Sequence, residues 1–324
     1  MIPKAELHVH LEATMPPALV RELARRNRVE VATGVMDGDR FAWRDFLHFL
    51  ELYDEMVRVI QTPQDYRDIA YDYLVRCAAE GAIYVELTAS PDHAQTAGVG
   101  DDDHVAALAQ AIDDARADCG IEARIVMTCV RHYGVERAVE LARRVVAHPH
   151  RYVTGFGMAG DEAGHPPGPF AKAFLIAHEA GLGVTVHAGE WAGPESIRGA
   201  LALPVPVTRL GHGVRAIEDP ALVEELAERG TVLEVCPTSN VVLGVFGSYA
   251  EHPWGRLRAA GVRVTLGSDD PPWWGATIGG EYRVAHEELA TGADELVGVT
   301  RTAIEAAFID EEARAGLLRR LPAG

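Results

Sequence analysis

This sequence of 324 residues has few cysteines, no segment that resembles a leader peptide and no long apolar run. Each of these features argues against a class of protein. Cys77, Cys119, Cys129 and Cys236 show no paired spacing and lie in apolar segments, which predicts buried reduced thiols rather than a disulfide framework. No apolar run approaches the roughly 18 residues that a membrane-spanning helix requires. The first ten residues, MIPKAELHVH, lack the features of a leader peptide, so we predict a cytoplasmic location.

Basic residues are also few, because 30 lysines and arginines face 48 aspartates and glutamates, giving a formal net charge of −18. Nucleic-acid phosphates and anionic lipids are held largely by lysine and arginine. The composition therefore argues against nucleic acid and membrane surfaces as partners and favours a small-molecule ligand. Lysine occurs only at Lys4 and Lys172, so nearly all of the positive charge comes from arginine.

Short β-branched runs alternate with amphipathic segments of helical period, which is the pattern of βα units around a buried parallel sheet. This pattern predicts an α/β protein with a closed (β/α)₈ TIM barrel, formed by one domain over residues 1–324. The eight predicted strands are AELHVHL, IYVELTAS, ARIVMTCVRH, VTGFGMAG, GVTVHAGE, RLGHGVR, TVLEVCPTSN and RVTLGSDDP.

The first two predicted strands are separated by a long segment that contains FAWRDFLHFLELYDEMVRVI, a helical stretch with a strongly apolar face. We expect it to form extra helices near the C-terminal mouth of the barrel. Its aromatic residues Phe46, Phe49 and Tyr53 are interpreted as core residues, although a hydrophobic lid over a pocket would show the same pattern.

Polar residues that look out of place in the predicted strands lie toward the strand C-terminal ends, which carry the active site in a βα barrel. His8 and His10 alternate along one strand and should point to the same face. His187 ends the fifth strand and Asp269 follows the eighth. Three imidazoles, one carboxylate and an open position for water suit catalytic zinc, although the same ligand types also accept iron or manganese.

Two other motifs in the sequence would indicate a different function, but the evidence for each is weaker. GFGMAG has the spacing of a dinucleotide-binding loop, with Glu179 at a suitable distance, but DEAGHPPGPF follows where a helix should begin at once. The zinc deaminase signature that ends in P-C-x-x-C is absent, because Cys236 precedes PTSN and no second cysteine follows. Neither motif explains the histidines.

The pieces ELHVHLE, AGDEAGHPP, VHAGE, RLGHGVRAIED, LEVCPTSN and SDDPP occur in this order over nearly the full length. Together they resemble the adenosine deaminase branch of the amidohydrolase superfamily. The resemblance implies that His8, His10, His187 and Asp269 hold zinc. Binuclear enzymes of this architecture carry a bridging lysine at the end of the fourth strand, and GFGMAGDE contains none, which favours one Zn²⁺ ion.

The resemblance also implies hydrolytic removal of the amino group from a 6-aminopurine. Glu190 would protonate a ring nitrogen beside the attacked carbon, and His212 would orient or deprotonate the attacking water. Asp270 and the Gly160 N–H would contact other ring nitrogens. Zinc can lower the pKa of water to about 7, and a buried carboxyl can keep its proton for the ring, so these residue types suit the chemistry.

Glu12 and Ala13 stand where adenosine deaminases usually carry an aspartate and a glycine, and that aspartate reads the ribose 5′-hydroxyl. Glutamate at this position also occurs in adenine deaminases and aminodeoxyfutalosine deaminases, so Glu12 is a candidate selector of substrate. Trp273 and its neighbour Trp274 are further candidates, because they could shape the pocket rim or stack on a ligand. Arg131 could bind the benzoate carboxylate of aminodeoxyfutalosine.

AGDE at 159–162 resembles the corresponding sequence of the nucleoside deaminases. Among possible substrates we therefore rank aminodeoxyfutalosine and adenosine first and free adenine third. The arginine-rich composition is typical of GC-rich bacterial genomes, in which menaquinone synthesis through aminodeoxyfutalosine would fit. Two other functions remain open: a metal-dependent amide or ester hydrolase on the same barrel, and a nucleoside-binding protein that has lost catalysis. The sequence does not indicate an oligomeric state.

Overall fold

The computed structural model describes residues 2–322 and contains eight parallel strands in chain order around one sheet. A bridge between Val9 and Asp269 joins the regions that follow the first and last strands, so the sheet nearly closes on itself. The (β/α)₈ prediction is confirmed. The barrel strands are β1 (Lys4–Glu6), β2 (Ala82–Ala89), β3 (Glu122–Val130), β4 (Val153–Ala159), β5 (Gly183–Ala188), β6 (Arg209–His212), β7 (Val232–Val235) and β8 (Arg263–Leu266).

Helices surround the sheet, and several begin at residues that favour a helix start. Thr62 and Asp65 form a reciprocal capping box at one helix, and Asp219 caps another. None of the helices in residues 2–322 is long and apolar enough to cross a membrane. The helices are α1 (Pro17–Asn27), α2 (Phe46–Val57), α3 (Pro63–Ala79), α4 (Pro91–Thr96), α5 (Asp101–Cys119), α6 (Val135–Ala147), α7 (Ala171–Glu179), α8 (Pro194–Leu201), α9 (Pro220–Arg229), α10 (Pro237–Val242), α11 (Trp254–Ala259), α12 (Pro271–Trp274), α13 (Ile278–Glu287), α14 (Ala293–Ala306) and α15 (Glu311–Leu318).

Strand β1 is shorter than the predicted strand AELHVHL, because regular pairing ends at Glu6. The chain beyond it stays between its neighbours through single bridges and backbone hydrogen bonds. The His10 N–H donates to the Asp269 carbonyl at 2.9 Å, and the Leu11 N–H donates to the Thr88 carbonyl at 2.8 Å. These bonds fix the histidine segment between the C-terminal ends of β2 and β8, where the site lies.

The long connection between β1 and β2 folds into α1, a short hairpin that pairs Met36–Asp37 with Arg40–Phe41, and α2. Helix α2 lies at the mouth of the barrel, so the predicted extra helices are present. Phe46, Phe49 and Tyr53 of α2 all line the cavity above the strand ends. Phe49 is also part of the buried core, and Phe46 and Tyr53 pack against that core, so both the core interpretation and the alternative of a hydrophobic lid fit the structure.

The barrel interior contains a buried charged cluster below the histidines. The guanidinium of Arg209, which is fully buried, contacts Glu86 and Glu234 at 2.6 Å each. The Phe308 ring lies 3.7 Å from the Arg209 guanidinium carbon, and a Cβ at Gly183 would collide with that ring. Because Glu234 also contacts His8, this cluster supports the floor of the site.

The cysteines partly match the prediction of buried thiols. Cys77, Cys129 and Cys236 are buried and unpaired, whereas Cys119 is exposed at the end of α5. The prediction is therefore wrong for Cys119, because this last residue of α5 lies outside the buried face of the helix.

Candidate active site

Three imidazoles and one carboxylate converge at the C-terminal ends of β5 and β8 and in the segment that follows β1. One side-chain atom from each of His8, His10, His187 and Asp269 lies within 4.8 Å of the other three. His10 Nε2 is 3.1 Å from His187 Nε2, and Asp269 Oδ1 is 3.3 Å from both His8 Nε2 and His10 Nε2. The structure therefore brings together the four residues that the sequence predicts as metal ligands.

The spacing of these atoms suits a small tetrahedral cation. Ligands at about 2.0–2.1 Å from zinc stand about 3.3 Å apart along the edges of the tetrahedron. The separations of 3.1 and 3.3 Å match that edge. His8 Nε2 is buried and has no hydrogen-bond partner, so its lone pair is available for an ion. The residues present fit a metal.

Neighbouring residues fix two of these ligands. Glu234 Oε2 lies 2.9 Å from His8 Nδ1, which directs the other ring nitrogen into the cluster. Ser239 Oγ donates to Asp269 Oδ2 at 2.6 Å and leaves Oδ1 facing the histidines. Asp269 itself has a left-handed backbone with φ of 63°, a costly conformation that functional sites often hold.

Glu190 and His212 lie beside this cluster, on the loop after β5 and at the end of β6. His212 Nε2 is 3.5 Å from Glu190 Oε2. The other carboxylate oxygen of Glu190 is buried without a partner. Burial, followed by the charge of Asp269, raises the pKa of Glu190 well above its usual range, which favours the protonated acid.

Glu190 does not cap the helix that follows it. The Gly193 N–H at the start of α8 is instead satisfied by Glu195 at 3.0 Å. A residue that the sequence analysis missed, the buried Glu162, holds the loop in place. Its carboxylate accepts four consecutive backbone N–H groups, those of Gly189, Glu190, Trp191 and Ala192, at 2.5–3.1 Å. AGDE therefore contains an anchor for the Glu190 loop.

Asp270 follows Asp269 and faces the same cavity. Its Oδ1 atom is buried without a partner. Burial and the adjacent charge of Asp269 raise the pKa of Asp270 to about 8. Asp270 and Glu190 thus both present an unsatisfied carboxyl oxygen to the space above the metal cluster, where a polar ligand would pair with them.

The cavity above the cluster has an apolar wall and a polar rim. Apolar side chains from α2 and neighbouring loops provide the wall: Phe46, Phe49, Leu50, Val130, Leu243 and Trp274. Gly160 also lines the cavity, with φ of 100°, and a Cβ there would approach His132 Nδ1 to 2.7 Å. Glycine is therefore required for this close approach. The wall suits a flat apolar ring with polar edges.

Glu12 is buried in the cavity wall at the base of α2. Its carboxylate accepts the Ser90 N–H at 2.9 Å and the Tyr53 hydroxyl at 3.2 Å. Beside this pair, Asp54 accepts the Tyr133 hydroxyl at 2.8 Å and lies 3.0 Å from His93 Nε2. Asp54, His93 and Tyr133 could not be recognised in the sequence, because their positions depend on how α2 packs over the barrel.

Two predicted substrate contacts lie outside the cavity. Arg131 is fully buried, and its guanidinium donates to the His187 carbonyl at 2.6 Å and the His165 carbonyl at 3.3 Å. The prediction of Arg131 as a carboxylate ligand is therefore wrong: it supports the His187 backbone. Trp273 stacks on Phe41 at 4.2 Å, so its neighbour Trp274, rather than Trp273, lines the cavity.

A barrel of this kind, with its histidine and carboxylate cluster at the strand C-terminal ends, has the architecture of the amidohydrolase superfamily. The sequence model described as adenosine deaminase matches residues 3–323. The chain belongs to the adenosine deaminase family. It is a hydrolase that acts on carbon–nitrogen bonds in amidines, and its relatives act on small purines.

The chain is 49% identical to an adenine deaminase of Chelativorans sp. (strain BNC1), with 99% of this chain and 98% of the relative covered. It is 46% identical to an adenine deaminase of Rhizobium leguminosarum bv. trifolii (strain WSM2304), with 98% of each covered. The crystal structure of an adenine deaminase from Arthrobacter aurescens superposes with a TM-score of 0.91, at 31% identity and 98% coverage of both chains. An amidohydrolase from Burkholderia ambifaria with bound Zn superposes with a TM-score of 0.89, at 26% identity, covering 98% of this chain and 89% of that one.

Proposed function

We propose that this enzyme deaminates free adenine to hypoxanthine and ammonia. The observation that carries the proposal is the composition of the cavity above the metal cluster. Within residues 2–322, no arginine or lysine lines it, whereas Glu12, Asp54, Glu190 and Asp270 do. A substrate that carries a phosphate or carboxylate would find carboxylates instead of a cationic partner.

This charge pattern argues against aminodeoxyfutalosine and against nucleotides. The benzoate group of aminodeoxyfutalosine needs a cation, and Arg131, which was the candidate, is committed to backbone carbonyls. The comparisons likewise favour adenine over the nucleosides that the sequence analysis ranked first. A role in menaquinone synthesis has no support here, and it falls with the aminodeoxyfutalosine hypothesis.

The choice between adenine and adenosine rests on the wall formed by Glu12 and Tyr53. In the family pattern, the position of Glu12 faces the ribose, and here its longer side chain is fixed by Ser90 and Tyr53. A carboxylate held in this place can accept the ring N–H that free adenine carries and that a nucleoside lacks. We propose Glu12 as the residue that selects the base, with Gly160 supplying a backbone contact to the ring.

We propose one zinc ion, held by His8, His10, His187 and Asp269, in keeping with the fit of their spacing and with the zinc-containing relative. When bound, zinc would supply a water of lowered pKa, about 7, close to the attacked carbon. Retention of these four residues, with Glu190 beside them, argues against a binding protein without catalysis.

The residues of the chain then divide the proton transfers among them. Glu190, as the protonated acid, donates to purine N1 and makes C6 electrophilic, while Asp270 pairs with N7. Water oxygen bonds to C6 on the face toward His212. One water proton passes to the amino nitrogen, which leaves as ammonia when its bond to C6 breaks. The other water proton passes to the Glu190 carboxylate and restores the acid, while the proton that Glu190 donated stays on N1. Phe46, Phe49 and Trp274 exclude bulk water and hold the ring flat.

The reaction can be tested with adenine in H₂¹⁸O, using the zinc-loaded protein. We expect equal amounts of ammonia and hypoxanthine, with one ¹⁸O at position 6. The Glu190→Gln variant serves as the matched control and should form little of either product. Absence of ammonia from adenine, combined with turnover of amide or ester substrates, would favour the rival metal-dependent hydrolase and overturn the proposal.

A further inference from the structure

Two buried polar side chains, those of His252 and Asn240, link a backbone N–H to the ring of His212. The Trp254 N–H donates to His252 Nδ1 at 3.2 Å. His252 Nε2 lies 3.2 Å from Asn240 Oδ1, and Asn240 Nδ2 lies 3.4 Å from His212 Nδ1. Asn240 is fully buried and His252 is nearly so, at 5% exposed. The far nitrogen of His212 faces Glu190 and the cavity.

The direction of every hydrogen bond in this chain follows from its first member. A backbone N–H can only donate, so His252 Nδ1 must be an unprotonated acceptor and the proton of its neutral ring lies on Nε2. His252 Nε2–H then donates to Asn240, which requires the amide oxygen to face His252. The Asn240 NH₂ group therefore faces His212 and donates to Nδ1, so the proton of a neutral His212 lies on Nε2.

We propose that Asn240 and His252 are positioning residues that hold His212 as the Nε2–H tautomer. His212 then presents a hydrogen-bond donor, not a lone pair, to the attacking water. Its role is to orient the oxygen of that water and stabilise charge on it, and the water proton is accepted by the Glu190 carboxylate, which has given its own proton to N1. The inference deepens the proposed function, on which its effect on rate rests, whereas the tautomer itself is independent of the substrate.

The same tautomer keeps His212 out of the set of metal ligands. His212 lies close enough to join two other groups of ligand atoms, one with His8 and Cys236 and one with Glu190 and Asp269. A ring nitrogen that carries a proton cannot donate a lone pair to an ion. Asn240 and His252 thus prevent His212, at the end of β6, from competing with the four proposed ligands for the metal ion.

The tautomer can be read directly by long-range ¹⁵N–¹H NMR of histidine-labelled protein, with and without zinc, using His212→Gln to assign the His212 signals. We expect a protonated Nε2 and an unprotonated Nδ1 at His212 in both samples. In His252→Phe the amide of Asn240 is free to turn, so signals of the second tautomer should appear. His252→Gln keeps an N–H donor and should restore the first. A protonated Nδ1 at His212 in the native protein would overturn the proposal.

A second variant distinguishes the two possible roles of His212, because they predict different changes in kcat. In Asn240→Asp, a carboxylate accepts a proton from Nδ1 and turns the Nε2 lone pair toward the cavity. We expect kcat for adenine to fall at least about tenfold, with KM changed little and zinc content retained. Equal or higher kcat with the second tautomer present would show that His212 works as a base. Failure of the native enzyme to deaminate adenine would refute the proposed function, while the NMR result would still decide the tautomer.

Discussion

The carboxylate of Glu162 offers the sharpest test of how the Glu190 loop is held. It is 2% exposed and accepts N–H groups from four consecutive residues: Oε1 takes that of Gly189, and Oε2 takes those of Glu190, Trp191 and Ala192. Glu162→Gln keeps the shape but offers only one acceptor oxygen. If that oxygen serves the three donors, the new NH₂ group faces the Gly189 N–H, so one buried donor loses its partner.

The loss of stability expected for Glu162→Gln can be calculated from these hydrogen bonds. A buried N–H without a partner costs about 1–3 kcal/mol. The three remaining bonds also change from a charged to a neutral acceptor, and charged hydrogen bonds are roughly twice as strong. We therefore expect Glu162→Gln to lower the free energy of unfolding by about 2–5 kcal/mol, measured by urea denaturation. Because the loop carries Glu190, kcat for adenine should also fall by at least about tenfold.

The matched control is Glu179→Gln, which makes the same chemical change at an exposed position of α7. Its free energy of unfolding should stay within about 0.5 kcal/mol of the native value. If Glu162→Gln were as stable and as active as this control, the four hydrogen bonds would not hold the loop, and the account of AGDE as an anchor would be refuted.

Four other substitutions test the remaining residues. His8→Ala or Asp269→Ala should remove zinc, measured by elemental analysis after gel filtration, and full occupancy would contradict the ligand assignment. Glu190→Gln should retain zinc but lose at least about a hundredfold in kcat, because the amide cannot supply the ring proton; near-native kcat would rule out that role. Glu12→Asp should raise the kcat/KM ratio of adenosine to adenine, because the shorter side chain frees space toward the ribose. An unchanged ratio would show that Glu12 does not select the substrate.

The fold and the metal cluster could be predicted from the sequence for one physical reason. In a βα barrel the C-terminal ends of all strands meet at one face, so His187 and Asp269 converge although 82 residues separate them in the sequence. Period-two alternation places His8 and His10 on one side of the chain, and this holds even though regular pairing of β1 stops at Glu6.

The residues that were missed depend on packing between segments, which has no period in the sequence. Glu162 lies in a charged, glycine-rich loop that looks solvated, yet the chain folds it under the Glu190 loop. Asn240 and His252 meet His212 only because the segment after α10 turns back. Asp54 faces the cavity because α2 closes over the barrel mouth, and an amphipathic pattern does not tell a lid from a core helix.

The errors at Arg131 and Trp273 have local causes. Arg131 follows the strand end but begins a short 3₁₀ turn, which directs its side chain toward backbone carbonyls instead of the cavity. Trp273 and Trp274 are adjacent in the short helix α12, so their side chains leave the helix about 100° apart. In the structure Trp274 lines the cavity and Trp273 stacks on Phe41, a difference that the sequence alone does not reveal.

The central claim is that the zinc-loaded enzyme acts on the free base. Its most direct test is the ratio of kcat/KM values, measured by ammonia release under identical conditions for adenine, adenosine and aminodeoxyfutalosine. Among residues 2–322 the cavity wall contains no arginine or lysine and carries Glu12 beside Tyr53, which predicts a value for adenine at least about a hundredfold above either nucleoside. Equal values, or a preference for adenosine or aminodeoxyfutalosine, would contradict the account.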